Sequence, residues 1–183
     1  MLRARTPALP RLLAATFVLV LVPGSLALSQ DTQARREIEE IYARRVAAIK
    51  KKQFAQLKTY EADEYVEKSK DGNVMNRKQA DAEADVVFAS VKEVWAYSST
   101  ITSMNDGKEA NEVIVEVSDR GRLSILGPDN KILRISAQGR SRDVWKRTQE
   151  GWKIKSHEEL ESNVELEGKR DKKSHDDDRL DSR

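Results

Sequence analysis

Apolar positions recur at helical spacing in the first half of the chain and at every second residue in the second half. Over 31–52, Ile38, Ile41, Tyr42, Val46 and Ile49 share one face and charged residues fill the rest, which predicts an amphipathic helix. Phe54 and Leu57 continue as a short second helix that ends near Tyr60. Residues 64–75 read as short extended pieces around a turn at Asp71-Gly72-Asn73. Asn76 has Gln79 three residues on, the form of a capping box. It opens a third helix with Ala80, Ala84, Val87, Phe88 and Val91 as its stripe.

The period then changes to two. A strand over 94–104 meets a turn at Asn105-Asp106-Gly107. A second strand over 109–126 puts Val113, Val115 and Val117 on one face. Gly127-Pro128-Asp129-Asn130 is a strong turn signal. The strand over 131–147 has Leu133, Ile135, Ala137 and Trp145 in phase, and the last strand runs over 152–164. Three helices followed by long meandering strands make an α+β plan: helices packed on one face of a curved antiparallel sheet. A ligand enters such a fold between the concave face and the helices.

The two ends change the picture of charge and location. Arg3, Arg5 and Arg11 precede an apolar run over 12–22, which is short of the ~20 residues that span a bilayer. Pro23-Gly24 breaks the run and Ser25-Leu26-Ala27 supplies small residues, so 1–27 reads as a secretory signal peptide cut after Ala27 or after Ser29. The expectation is an exported protein, periplasmic or secreted, with no stable membrane insertion after cleavage. The whole chain has 33 Lys and Arg against 31 Asp and Glu; without the three arginines of 1–27 the remainder has a net charge of −1. That leaves no basic field to recruit nucleic acid. Residues 168–183 are almost wholly charged or polar and read as a disordered, solvated tail. The domain is therefore 28–167. It has no cysteine, so it holds by packing alone, and thiolate chemistry is excluded.

The order of elements resembles the nuclear transport factor 2-like superfamily, especially its SnoaL-like and related small bacterial members. The residues that carry the resemblance are Ile41-Tyr42 and Ala47-Ala48-Ile49-Lys50 in the first helix, and Phe54, Leu57 and Tyr60-Glu61-Ala62-Asp63 behind it. Asp71-Gly72 in the first hairpin and Val144-Trp145-Lys146-Arg147 with Gly151-Trp152-Lys153-Ile154 at the end complete the set. The resemblance implies a cone-shaped, cystatin-like fold with a pocket, and frequently a homodimer. It does not imply one chemistry, because the fold hosts isomerases, cyclases, dehydratases and binders. Two departures matter. Gln53 stands where family members often carry Asp. Aligned on the ketosteroid isomerases, the catalytic Tyr falls on Arg45 and the base on Lys68. A lysine there does not replace a proton-shuttling carboxylate, which counts against steroid-type isomerisation.

Asp63, just past the second helix, is the candidate acid–base group; the competing reading is a carboxylate that caps a turn. Tyr42, Tyr60, Trp95, Tyr97 and Trp145 are the candidate pocket lining; such rings serve equally as core or as a dimer face. Asp63 is also the expected partner of the Tyr42 hydroxyl. His157 is out of phase with Trp152 and Ile154 and should face the other side of the sheet. Arg134, Arg140 and Arg142 share a strand face opposite the apolar one, a cationic pocket if concave and a solvated face if convex. No metal site is expected from one histidine in the domain and no cysteine, and no cofactor motif is present. The sequence leaves enzyme or not open. It favours an exported protein that binds a small apolar or weakly acidic molecule. The alternatives are a SnoaL-like enzyme using Asp63 and a protein–protein interaction module.

Overall fold

The computed structural model describes residues 24–127 and 129–167. Of the expected end segments, residues 1–23 of the signal peptide and the whole tail over 168–183 lie outside the described residues. Helix α1 spans Gly24–Lys50, so residues 24–27 are its start. A single-turn helix, α2, spans Ala55–Lys58. Strands β1 (Glu61–Lys68) and β2 (Val74–Asn76) come next, ahead of helix α3 (Arg77–Ser90). Four long strands complete the fold: β3 (Val91–Asp106), β4 (Glu112–Leu126), β5 (Ile132–Thr148) and β6 (Gly151–Leu166). The expected three helices are present, but only two are long, and the third follows the first hairpin rather than preceding the sheet.

One curved sheet holds all six strands in the order β2-β1-β6-β5-β4-β3. The β3–β6 meander is antiparallel throughout. β1 is antiparallel to β2 but parallel to β6. The sheet is therefore mixed, which corrects the antiparallel sheet expected from the pattern. A tight turn forces antiparallel pairing, and β1 and β6 have no turn between them. Helix α3 and four strands separate them, so β1 joins the free edge of β6 in either direction that packing allows.

Local signals set the helix ends. Asn76 accepts the Gln79 backbone N–H at 3.1 Å, and the Gln79 side chain accepts the Asn76 N–H at 3.0 Å, so α3 starts in a capping box. Of its expected stripe only Ala80 is buried. Val87 is exposed, and Phe88 stacks on Phe54 with ring centroids 4.2 Å apart, tying the end of α3 to the loop before α2. The main core lies between α1 and the concave face. Ile38, Ile41 and Tyr42 of α1 pack with Val113, Val115 and Val117 of β4, Trp145 of β5, and Trp152 and Ile154 of β6. The alternation expected on β4 is the alternation observed.

Candidate functional site

Three charged side chains sit in the phase of the core, two on the concave face and one on α1. Asp143 is two residues from Trp145 on β5, and its side chain is only 2% exposed. Asp119 is two residues from Val117 on β4. Arg45 lies on the α1 stripe between Tyr42 and Ile49, with its side chain 23% exposed. With Tyr42, Tyr97, Ser99, Ser141 and His157 they line a recess of about 30 Å³, room for about two water molecules. Tyr97, Asp119, Ser141 and His157 also line an adjoining, more open cleft of about 220 Å³ floored by Gly121, Ala137 and Gly139. The floor has to be small. A Cβ on Gly121 would lie 3.2 Å from the Tyr97 ring.

Asp143 is the hub. His157 Nδ1 is 2.7 Å from its Oδ1. The Tyr42 hydroxyl donates to its Oδ2, and Arg45 Nη1 stands 3.7 Å from the same oxygen. Trp145 Nε1 donates in turn to the Tyr42 hydroxyl at 3.2 Å, and the Tyr42 and Trp145 rings meet edge to face. Burial alone would raise the Asp143 pKa, but His157, Arg45 and Tyr42 outweigh it and hold the carboxyl below its ordinary value. For His157 burial pulls down, and the Asp143 carboxylate more than compensates, so the imidazole ends above its ordinary 6.5. Burial and Asp143 both keep the proton on Tyr42. Asp119 is pushed up by burial, against the Ser99 and Tyr97 hydroxyls and the Arg45 cation.

A bulge puts His157 here. Trp145 pairs with Ile154, and Val144 pairs with Ser156, so Lys155 is an extra residue in β6. It restores the phase, and His157 stands directly across from Asp143 on the concave face. Simple alternation along β6 sends His157 to the other side, and the bulge overturns that expectation.

The expected site residues are not gathered in one place. Tyr42 and Tyr97 line the recess. Trp145 is fully buried behind it and acts through Tyr42. Tyr60 packs against the edge of the core and lines a separate groove with Glu37 and Trp152. Trp95 is 43% exposed, donates to Glu93, and lies under the Arg134 guanidinium. Asp63 is turned fully to solvent, where it accepts from Arg77 Nη1 at 2.9 Å. It is not near the recess, and the partner of Tyr42 is Asp143 instead. The reason is strand direction: β1 points Ala62 and Tyr65 inward and Asp63 outward. Arg140 and Arg142 face away from α1 and pair with Glu116, Glu158 and Glu161. The residues missed from sequence are Arg45, Asp119, Asp143 and the placement of His157. Three of them are charges on otherwise apolar phases, a signal legible in the strand and helix patterns. Among the described residues, no group of three or more His, Asp and Glu is placed to hold a metal ion.

No protein-family model matches the sequence, and no curated protein matches it. Solved structures do. A hexachlorocyclohexane dehydrochlorinase superposes with a TM-score of 0.57 at 14% identity, over 74% of this chain and 90% of that one. A conserved protein from Planctomyces limnophilus gives 0.54 at 13% identity, over 74% and 98%. A ketosteroid isomerase-like protein from Erwinia carotovora atroseptica gives 0.52 at 12% identity, over 69% and 95%. At these identities the likeness is one of fold, and the fold is nuclear transport factor 2-like.

Proposed function

We propose that this is an exported protein that binds a small molecule in the recess between α1 and the concave sheet face and in the cleft adjoining it, and transfers a proton to or from it, with His157 as the acid–base group. The observation that carries the proposal is the pairing of His157 with a fully buried carboxylate on a cavity wall, 2.7 Å apart. Asp143 accepts a hydrogen bond from Nδ1–H, which leaves Nε2 as the basic nitrogen. Among the described residues Nε2 makes no hydrogen bond, and His157 lines both recess and cleft. When Nε2 accepts a proton, the imidazolium is held by Asp143, which Tyr42 and Arg45 keep ionised and oriented. Removing a proton from carbon is the step shared by eliminations and isomerisations. A dehydrochlorinase of the same fold supports that reading by analogy of architecture alone. Export is supported by the pattern of residues 1–27.

A second reading, binding without turnover, is favoured by the size of the recess. At about 30 Å³ it admits only a small group, so most of any ligand sits in the outer cleft. Deuterium exchange at the α-carbons of cyclohexanone in D2O separates the two. Acid–base function predicts protein-catalysed exchange whose rate rises with pH through a pKa above 6.5 and disappears in His157→Gln. Equal exchange in wild type and His157→Gln, with cyclohexanone still bound, leaves the binder.

A further inference from the structure

The two edges of the sheet are unlike. At one edge β2 has three residues; at the other β3 has sixteen, with a neighbouring strand, β4, on one side only. Long edges are ordinarily kept from pairing by charges or prolines along them. Residues 94–105 of β3 have neither, in a chain of which 35% is charged. Trp95 and Thr102 are bulge residues, and between them residues 96–101 pair one to one with β4. Among the described residues, the only side chain hydrogen-bonded to a β3 backbone group is that of Lys52, on Lys92 O. Trp95, the one exposed aromatic ring among the described residues, also stands on this strand.

We infer that a second copy of this chain adds to this edge, β3 against β3 and antiparallel, with Ser99 of each copy at the centre. The strand is self-complementary about that residue. Pairing centred there sets Tyr97 of one copy opposite Ile101 of the other, and Ser98 opposite Thr100. Further out it sets Lys92 opposite Asp106, and one bulge within each arm, at Trp95 and at Thr102, keeps the count equal. Aromatic against β-branched, hydroxyl against hydroxyl, and cation against anion are the cross-strand pairs that stabilise a ladder. The neighbouring registers lose the charge pair. Centring on Thr100 sets Lys92 opposite Lys108, and centring on Ser98 sets it opposite Met104. This complementarity of the strand with itself selects a second copy over an unrelated extended peptide.

Sedimentation equilibrium of the full chain over about 1–100 μM tests it, with two double variants at Ser98 and Thr100. Both residues are exposed, and circular dichroism checks that each variant is folded. The wild type should be a dimer that dissociates on dilution. Ser98→Glu with Thr100→Glu sets like charges opposite each other twice and should weaken the dimer about tenfold or more. Ser98→Glu with Thr100→Lys sets opposite charges there and should stay dimeric. In the wild type, amide hydrogen exchange over 96–101 should slow as concentration rises. A wild type that is monomeric throughout overturns the inference. So does a dimer that the two glutamates leave intact, because the copies then meet elsewhere. Equal weakening by both double variants also overturns it, since the antiparallel register centred on Ser99 distinguishes them. If the double-glutamate variant does not fold, the wild-type association, its exchange pattern and the Glu–Lys variant decide.

Discussion

Asp143 and Glu61 are carboxylates on the same sheet, both drawn out of water, and their pKa values move in opposite directions. Asp143 is the more deeply buried, at 2% side-chain exposure against 17% for Glu61. Yet Asp143 is held below its ordinary value, while Glu61 is raised from 4.5 to about 7. Partners account for the difference. Asp143 has His157, Tyr42 and Arg45 on its two oxygens. Glu61 Oε2 is buried without a hydrogen bond. Its nearest cation is Arg77 Nε at 3.9 Å. Arg77 has already given Nη1 to Ala62 O and Asp63 and Nη2 to Lys58 O. Burial raises Glu61 first, and the neighbouring Asp81 adds to it. Depth sets the cost of a charge, but the hydrogen bonds around it decide whether it stays.

Removing the hub is the most severe break. Asp143→Ala strands the Tyr42 hydroxyl and the buried cation of Arg45, and should cost about 3–5 kcal/mol of unfolding free energy by urea titration. It should also drop the His157 pKa, because the group that raises it is gone. A loss within experimental error would mean that the recess is wet enough to solvate Arg45 without Asp143. The wild-type pair has a definite pH window. The lowered Asp143 pKa gives stability present above 3.8 and lost as pH falls through its folded value. The raised His157 pKa gives stability present below 6.5 and lost as pH rises through its folded value.

Glu61 predicts a slope opposite to that of Asp143. Between 4.5 and about 7 the folded chain keeps the Glu61 proton and the unfolded chain has lost it. This group therefore makes stability fall as pH rises across that interval, and the full displacement corresponds to at most about 3 kcal/mol. Glu61→Gln should remove this slope and make the protein more stable than wild type at pH 8, with little change at pH 4. Parallel stability profiles for the two proteins would show that Glu61 is solvated in the native state.

How far the sequence carries depends on how regular the ladder is. The α1 stripe and the β4 alternation were legible because no residue interrupts either period. Asp143, a charge in phase with Trp145, and Asp119, in phase with Val113, Val115 and Val117, carry a signal of the same kind and were missed. Counting parity also set Arg140 and Arg142 opposite the apolar face, where they pair with glutamates. On β6 the count fails twice. Lys155 is extra opposite the step from Trp145 to Val144, and Leu160 is extra opposite the step from Ser141 to Arg140. Nothing in the side chains of 152–166 marks those positions, since a bulge is a property of the pair of strands. The parallel β1–β6 contact is hidden for a related reason. It joins segments about ninety residues apart, as in the pairing of Lys68 with Glu158, and no local pattern encodes it.

Asp63→Ala gives the smallest effect and makes the comparison sharpest. Asp63 occupies the place where the chain emerges from the second helix, which made it the expected acid–base group. In the fold its side chain is fully exposed, and its one partner is Arg77. An exposed ion pair of this kind contributes little, so the urea midpoint should stay within error of wild type. Proton exchange on cyclohexanone, which the proposal assigns to His157, should also be unchanged. The effect should appear on Glu61. With Asp63 gone, Arg77 Nη1 is free to turn toward the neighbouring carboxylate, and the Glu61 pKa should fall below about 7, as followed by its side-chain carboxyl carbon in a pH titration. An unchanged Glu61 would show that the backbone oxygens of Ala62 and Lys58 hold Arg77 in place without Asp63. Loss of exchange in Asp63→Ala would return the acid–base role to β1 and remove it from the His157–Asp143 pair.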